Sequence, residues 1–350
     1  MIVKDKVLIT RENGEQVEAQ APMIVSASRS TDIPAFYSDW FFYRLNKGYS
    51  AWTNPFNGKK LFVSYDQTRF IVFWSKNPKN LLPHLDYLKE RGIGCYVQYT
   101  LNDYVSEGLE KGVPSVDSRI ETFKVLVEKL GKGAVIWRFD PLMLTDKIGI
   151  DDLLKKIEYI GDALQGYTEK LVFSFVDIDV YKKVAANLSK NGIVYQKWTP
   201  ALMEEFAGKL AKLNKKWGYV LATCGEKIDI SKYSIQHNRC VDDDLIIRLA
   251  KNDAALMEHL GVTIESAGLF GGVPEDAIEL GDGEYAIKKK NNKDKGQREF
   301  CGCIASKDIG EYNTCAHLCE YCYANSSKEA ALENLRCHRN NKCGETITGR

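Results

Sequence analysis

Residues 69–101 read RFIVFWSKNPKNLLPHLDYLKERGIGCYVQYTL. Two β-branched and aromatic runs, RFIVFW (69–74) and GCYVQYTL (94–101), flank a stretch with apolar residues at helical spacing that stops at a glycine, a C-cap signal. A strand leading through a helix into the next strand favours parallel pairing. The same rhythm continues outward on both sides. MIVSAS (23–28) and YSAWT (49–53) precede the unit, and AVIWRF (134–139), LVFSFV (171–176) and GYVLATC (218–224) follow it. Helical patterns such as SRIETFKVLVEKLG, IDDLLKKIEYIGDAL and MEEFAGKLAKLNKKWG lie between them. Seven strand candidates, or eight if one more is hidden, predict an α/β fold built as a TIM-type (β/α) barrel, complete or nearly so. A doubly wound open sheet is the alternative, although no glycine-rich phosphate loop follows the first strand.

Around this body, KVLITRENGEQVEAQ reads as a hairpin turning at Asn13-Gly14. The expected organisation is an N-terminal hairpin over 1–22, the barrel over 23–260, an irregular connecting region over 261–300, and a cysteine-rich, cluster-binding segment over 301–350. With 44% apolar and 27% charged residues, the 350-residue chain is a globular protein able to bury a large core. A net charge of +1 offers no global attraction to nucleic acid or anionic membrane. No run reaches the roughly eighteen apolar residues of a membrane span, and the first residues are too charged for a secretory signal. The expectation is a cytoplasmic protein with no membrane partner. KKKNNKDKGQR reads as a solvated turn, which leaves nucleic acid a minor candidate partner.

Ten cysteines in a reducing compartment read as metal ligands or redox groups before they read as disulfides. Seven of them fall between 301 and 343. Cys315, Cys319 and Cys322 form a C-x3-C-x2-C loop, CAHLCEYCYAN (315–325). Soft thiolates at this spacing hold zinc or an iron–sulfur cluster. Three of them fill three corners of a [4Fe–4S] cubane and leave the fourth iron open to a non-protein ligand. Cys301 and Cys303 form a C-x-C pair, and Cys224, at the end of a predicted strand, and Cys240 beyond it are its natural partners. Four thiolates suit either a second [4Fe–4S] cluster or a four-cysteine zinc site, while the bland reading makes Cys224 and Cys240 small buried hydrophobes. Cys95 reads as core, and Cys337 and Cys343 as tail thiols.

The loop, with aromatic Tyr321 just before its last cysteine, resembles the signature of the radical S-adenosylmethionine (SAM) superfamily, and CEYCYAN resembles the spore photoproduct lyase branch. More widely, SASRSTDIPAFYSDWFFYRL, IVFWSKNPKNLL, VIWRFDPLMLTD, TCGEKIDISKYSIQHNRCVDDDLI and KDKGQREFCGC resemble a bacterial domain-of-unknown-function family with a C-terminal cysteine cluster. The resemblance implies a [4Fe–4S] cluster on Cys315, Cys319 and Cys322. It also implies SAM on the open iron, an electron donor such as flavodoxin or ferredoxin, and a 5′-deoxyadenosyl radical that abstracts a substrate hydrogen. Tyr321, Tyr323 and Asn325 become the cofactor-contacting candidates of the loop. In that superfamily the motif follows the first barrel strand. Here it comes last, so either a circular permutation or a C-terminal lid over the barrel mouth is expected to bring it there. Nucleic-acid lesion repair by the same chemistry, and a non-catalytic zinc or iron–sulfur protein, are the alternatives.

Polar residues at predicted strand ends supply the catalytic candidates: Arg29 and Asp32 after the first strand, Arg138 and Asp140 on another. Alternation puts Arg138 and Asp140 on one strand face. The structural reading makes Arg29–Asp32 and Arg138–Asp140 ion pairs or turn caps.

Overall fold

A computed structural model describes residues 6–54, 57–178, 182–266 and 273–350. Its centre is one parallel sheet. Strands β3 (Ile24–Ala27), β6 (Phe70–Ser75), β7 (Gly94–Thr100), β8 (Val135–Leu142), β10 (Lys170–Phe175), β12 (Val220–Thr223) and β13 (Ile235–His237) lie side by side in chain order. An eighth strand, β17 (Lys307–Asp308), adds to the free side of β3. The order of the seven never reverses, so they contain no switch point of the kind that defines a doubly wound sheet. Among the described residues no pairing joins β13 to β17, and the sheet keeps two edges.

Side chains alternate between the two faces with the period of two that a strand imposes. Val25, Phe73, Val97, Trp137 and Phe173 pack against one layer of helices: α1 (Ile33–Phe36), α2 (Ser38–Asn46), α3 (Leu85–Glu90), α4 (Val116–Leu130), α5 (Ile150–Ala163), α6 (Lys182–Lys190) and α7 (Pro200–Asn214). Ile24, Val72, Tyr96, Ile136 and Val172 face the other way, onto α8 (Asp243–Ala250) and α9 (Ala254–Leu260). Burial on both faces explains why these strands read as continuous apolar runs. Within the opening stretch, Pro83 removes a backbone donor and leaves a 3-10 turn at Pro78–His84, so α3 begins only at Leu85.

YSAWT is not a strand of the parallel sheet. It forms β4 (Tyr49–Thr53), which pairs antiparallel with β5 (Lys60–Ser64). The short connection between them, with Gly58 at φ +67°, has no room for the crossover that parallel pairing needs. β5 in turn joins the expected hairpin, β1 (Lys6–Thr10) and β2 (Gln16–Gln20), whose turn carries Gly14 at φ +85°. The places in the parallel sheet are taken instead by β13 and β17, strands of three and two residues too short for propensity to flag.

A two-stranded ribbon pairs β9 (Leu144–Thr145) with β11 (Tyr195–Gln196). The connecting region read as irregular contains an antiparallel sheet of β14 (Val262–Ser266), β15 (Ile278–Gly281) and β16 (Glu284–Lys288). The last helix, α10 (Lys328–Asn340), is capped by Ser327. The tail after it returns to the N-terminal sheet, where Ala51 N donates to Glu345 O (2.8 Å) and Arg11 pairs with the Glu345 carboxylate (2.7 Å). No helix among the described residues is long and apolar enough to cross a membrane.

Candidate metal centres

The CAHLCEYCYAN loop is seated over the carboxyl ends of β3, β6 and β7 by residues those strands deliver. Asp32, beyond β3, caps α1 through Ala35 N (3.0 Å) and accepts from Ser75 Oγ (2.6 Å) and Lys76 N (2.7 Å) at the end of β6. Its second oxygen also meets His317 Nε2 at 2.8 Å, inside the cysteine loop. The other ring nitrogen of His317 lies 3.0 Å from Gly112 O. Backbone bonds from Gly112 N to His317 O (3.1 Å) and from Glu320 N to Leu109 O (3.0 Å) close the contact. A Cβ on Gly112 would stand 2.6 Å from His317 O, so this approach requires glycine. Asp32 therefore acts on the loop through hydrogen bonds, and its partner is His317 rather than Arg29.

Tyr321 is the second anchor. Its hydroxyl donates to the buried carboxylate of Glu110 and receives bonds from Lys76 Nζ (2.9 Å) and Asn102 Nδ2 (3.2 Å). Lys76 and Glu110 pair at 2.7 Å. Burial pushes the Glu110 carboxyl up, but Lys76 and Arg119 outweigh it and hold the group below the usual range. Tyr323 is half-exposed and donates to Arg29 O (3.2 Å). Asn325 donates to Cys315 O (2.8 Å), and its Oδ1 is buried with no hydrogen-bond partner.

All ten cysteines are free. Burial pushes the Cys315 thiol up to about 12, opposed by the backbone N–H groups of His317 and Asp32. Burial also raises Cys319, against the pull of Lys76, and Cys322, against the N–H groups of Ala324 and Asn325. Three thiols, Cys319 buried and Cys315 and Cys322 half-buried residues faced by amide N–H groups, are a donor set suited to a thiophilic cation, which would carry the charge that burial disfavours.

The second group forms on the α8 face of the sheet, from three separate segments. Cys224 Sγ lies 3.3 Å from Cys240 Sγ. Cys303 Sγ accepts from the N–H of Cys240 (3.1 Å) and of Val241 (3.4 Å). Cys301 lies beside Cys303, whose side chain lowers its thiol to about 6. Arg138 reaches into this group, with Nη1 3.2 Å from Cys240 Sγ and 3.2 Å from Gln98 Oε1, while Nη2 pairs with Asp140 at 2.5 Å. Asp140 also accepts from Ser174 Oγ. Arg29 stacks over Trp74 (5.3 Å) and lies in the field of Asp308, Cys303, Cys240 and Cys301. Its backbone N donates to Asp308 Oδ2 (2.9 Å).

Several residues here have no counterpart among the sequence candidates, Glu110, His317, Asp308 and Glu226 among them. Glu226 accepts from Phe175 N (2.9 Å), and burial, reinforced by Asp140 and Asp177, raises its carboxyl to about 7. The only forewarning was its place just beyond a predicted strand, in TCGEK. Cys95 is core, its thiol raised by burial to about 12. Cys337 lies in α10 near Arg350 (3.4 Å), and Cys343 is exposed on the tail.

No curated protein and no solved structure matches the chain. A family model does, over residues 24–324, from the first residue of β3 to Ala324 in the cysteine loop. That span takes in the whole parallel sheet and both cysteine groups and leaves out the N-terminal hairpin and the tail thiols. The chain belongs to this family, a domain of unknown function (DUF1848).

Proposed function

We propose that this chain is a radical SAM enzyme, its cysteine loop the seat of a [4Fe–4S] cluster and its parallel sheet wound as a barrel with the loop as lid. One observation carries the reading: a C-x3-C-x2-C loop, with amide N–H groups facing Cys315 and Cys322 and the Lys76 ammonium near Cys319, is held over the carboxyl ends of the parallel strands, where α/β proteins place their chemistry. Cys315, Cys319 and Cys322 would hold the cluster. The bound cluster, reduced by an external one-electron donor, would supply the electron for reductive cleavage of SAM to methionine and a hydrogen-abstracting 5′-deoxyadenosyl group.

The chain's own residues then have separable tasks. Asp32, His317 and Gly112 fix the first half of the loop, and Tyr321 with Lys76, Glu110 and Asn102 fixes the second. The buried Lys76 ammonium places positive charge beside Cys319 and Cys322. Asp140 and Glu226, near the ends of β8 and β12, would offer carboxyl groups to a polar substrate, with the buried Arg138 holding Asp140 in place. Covering by the loop excludes water from the reacting atoms.

The test is 5′-deoxyadenosine formation from SAM by anaerobically reconstituted protein with a strong one-electron reductant, beside a variant with Cys315, Cys319 and Cys322 all changed to alanine. Turnover in the wild type and none in the variant is expected. No cleavage by wild-type protein carrying a full iron load overturns the reading.

A further inference from the structure

We propose that Cys224, Cys240, Cys301 and Cys303 hold a second metal centre, a four-thiolate site whose task is structural: it staples together the two edges of the parallel sheet. The inference rests on contacts among these residues and not on the chemistry proposed for the loop.

The placement argues first. Cys224 follows β12, Cys240 follows β13, and Cys301 and Cys303 precede β17. β13 and β17 are the two edge strands, unpaired with each other. Across that gap the chain already makes contact at the cysteines: Ile304 N donates to Val241 O (3.0 Å), and the N–H groups of Cys240 and Val241 converge on Cys303 Sγ. A disulfide between Cys224 and Cys240 would use two of the four sulfurs and leave the β17 side untied.

Charge argues second. Four thiolates on one zinc ion, or on an all-cysteine cubane, leave a centre of net charge 2−. A buried dianion requires nearby cations and donors. The guanidinium of Arg138 lies against Cys240 Sγ, that of Arg29 lies in the field of Cys240, Cys301 and Cys303, and Asn238 Nδ2 donates to Cys240 Sγ (3.3 Å). Arg29 Nη2 is buried without a hydrogen-bond partner. Such an orphaned donor points to a negatively charged component that the protein atoms alone do not supply. Binding would displace the thiol protons to solvent as the sulfurs take the metal.

The experiment uses the full chain carrying the Cys315, Cys319 and Cys322 alanine substitutions, which removes the loop's ligands, loaded anaerobically either with Zn2+ or with Fe3+, a thiol reductant and sulfide. Bound metal, labile sulfide and alkylation of each cysteine are then measured. The expected result is one centre per chain, with Cys224, Cys240, Cys301 and Cys303 protected at least tenfold from alkylation. One zinc without sulfide identifies a mononuclear site, and iron with equal sulfide a cluster. A folded protein that takes up neither, or that protects fewer than all four, overturns the proposal. For the staple, amide hydrogen exchange at Ile304 should accelerate at least tenfold when a chelator removes the metal. Unchanged exchange after complete removal shows that the edges are held without it. Cys301→Ser with Cys303→Ser should abolish loading. Loss of wild-type SAM cleavage with this centre intact would fault the proposed chemistry alone.

Discussion

The two cysteine groups are built in opposite ways. Cys315, Cys319 and Cys322 come from one stretch of eight residues, and the fold has only to hold that stretch in place. Cys224, Cys240, Cys301 and Cys303 are spread over eighty residues and become neighbours only when β12, β13 and β17 have been laid beside the rest of the sheet. Their supports differ accordingly. The loop rests on buried polar anchors, Asp32–His317 and Lys76–Glu110–Tyr321, that sit beyond strand ends. The second group is bounded by Arg138 and Gln98, which point inward from the strands themselves. A local motif tolerates changes in the sheet as long as its anchors hold, whereas a motif assembled from strands fails when the strands shift.

Substitutions at the anchors test that contrast. The largest effect is expected from Glu110→Ala, which strands the Lys76 ammonium and the Tyr321 hydroxyl in a buried site and should cost about 3–5 kcal/mol. Denaturant unfolding measures it, and metal loading should fall at the loop while the second group keeps its own. Equal loss at both groups would break the comparison. Gly112→Ala comes next, at about 1–3 kcal/mol, because the new Cβ meets a backbone carbonyl that can retreat only by moving the loop. Protection of Cys315 and Cys319 from alkylation in reconstituted protein should drop with it. On the other side, Asn238→Ala removes one donor to Cys240 and should cost about 1 kcal/mol, with altered thiol reactivity at Cys240 and none at Cys315.

A smaller effect separates the tail from both groups. Burial lowers the pKa of His338, which is held neutral against Tyr37 (ring centroids 4.7 Å) with Nδ1 near Ile347 O. The unfolded chain binds a proton at this residue from about pH 6.5 downward while the folded chain resists it. Stability should therefore decline as pH falls below about 6.5, and His338→Gln should flatten that part of the thermal-unfolding pH profile. Metal loading at both groups should be indifferent to the substitution. Smallest of all, Cys343→Ser, an exposed change on the tail, should stay within about 0.5 kcal/mol and leave both metal contents unaltered.

Legibility followed the range of each interaction. The helices at 116–130, 150–163 and 200–214 and all seven expected strands were readable, six of them in the parallel sheet, because their signal is a period of two or 3.6 within a short window. YSAWT carried the same apolar signature and went to another sheet, since strand propensity does not say which partner a strand will meet. β13 and β17 were invisible because two or three residues have no period. At the sites, Arg138–Asp140 was foreseeable from alternation on one strand. Glu110 and His317 were not, for nothing local marks a glutamate in a loop as the buried partner of Lys76, or a histidine as the ligand of Asp32.

By itself the sequence determined the repeated strand–helix rhythm, the hairpin at Asn13-Gly14 and the three-cysteine loop, because each is written within a few residues whose spacing alone carries the physics. Only the tertiary structure decided that the last strand, β17, lies beside β3, that the loop covers the carboxyl ends of β3, β6 and β7, and that Cys240 meets Cys224 and Cys303. Those outcomes depend on burying both faces of one parallel sheet at once, and that condition is met by the whole chain rather than by any window of it.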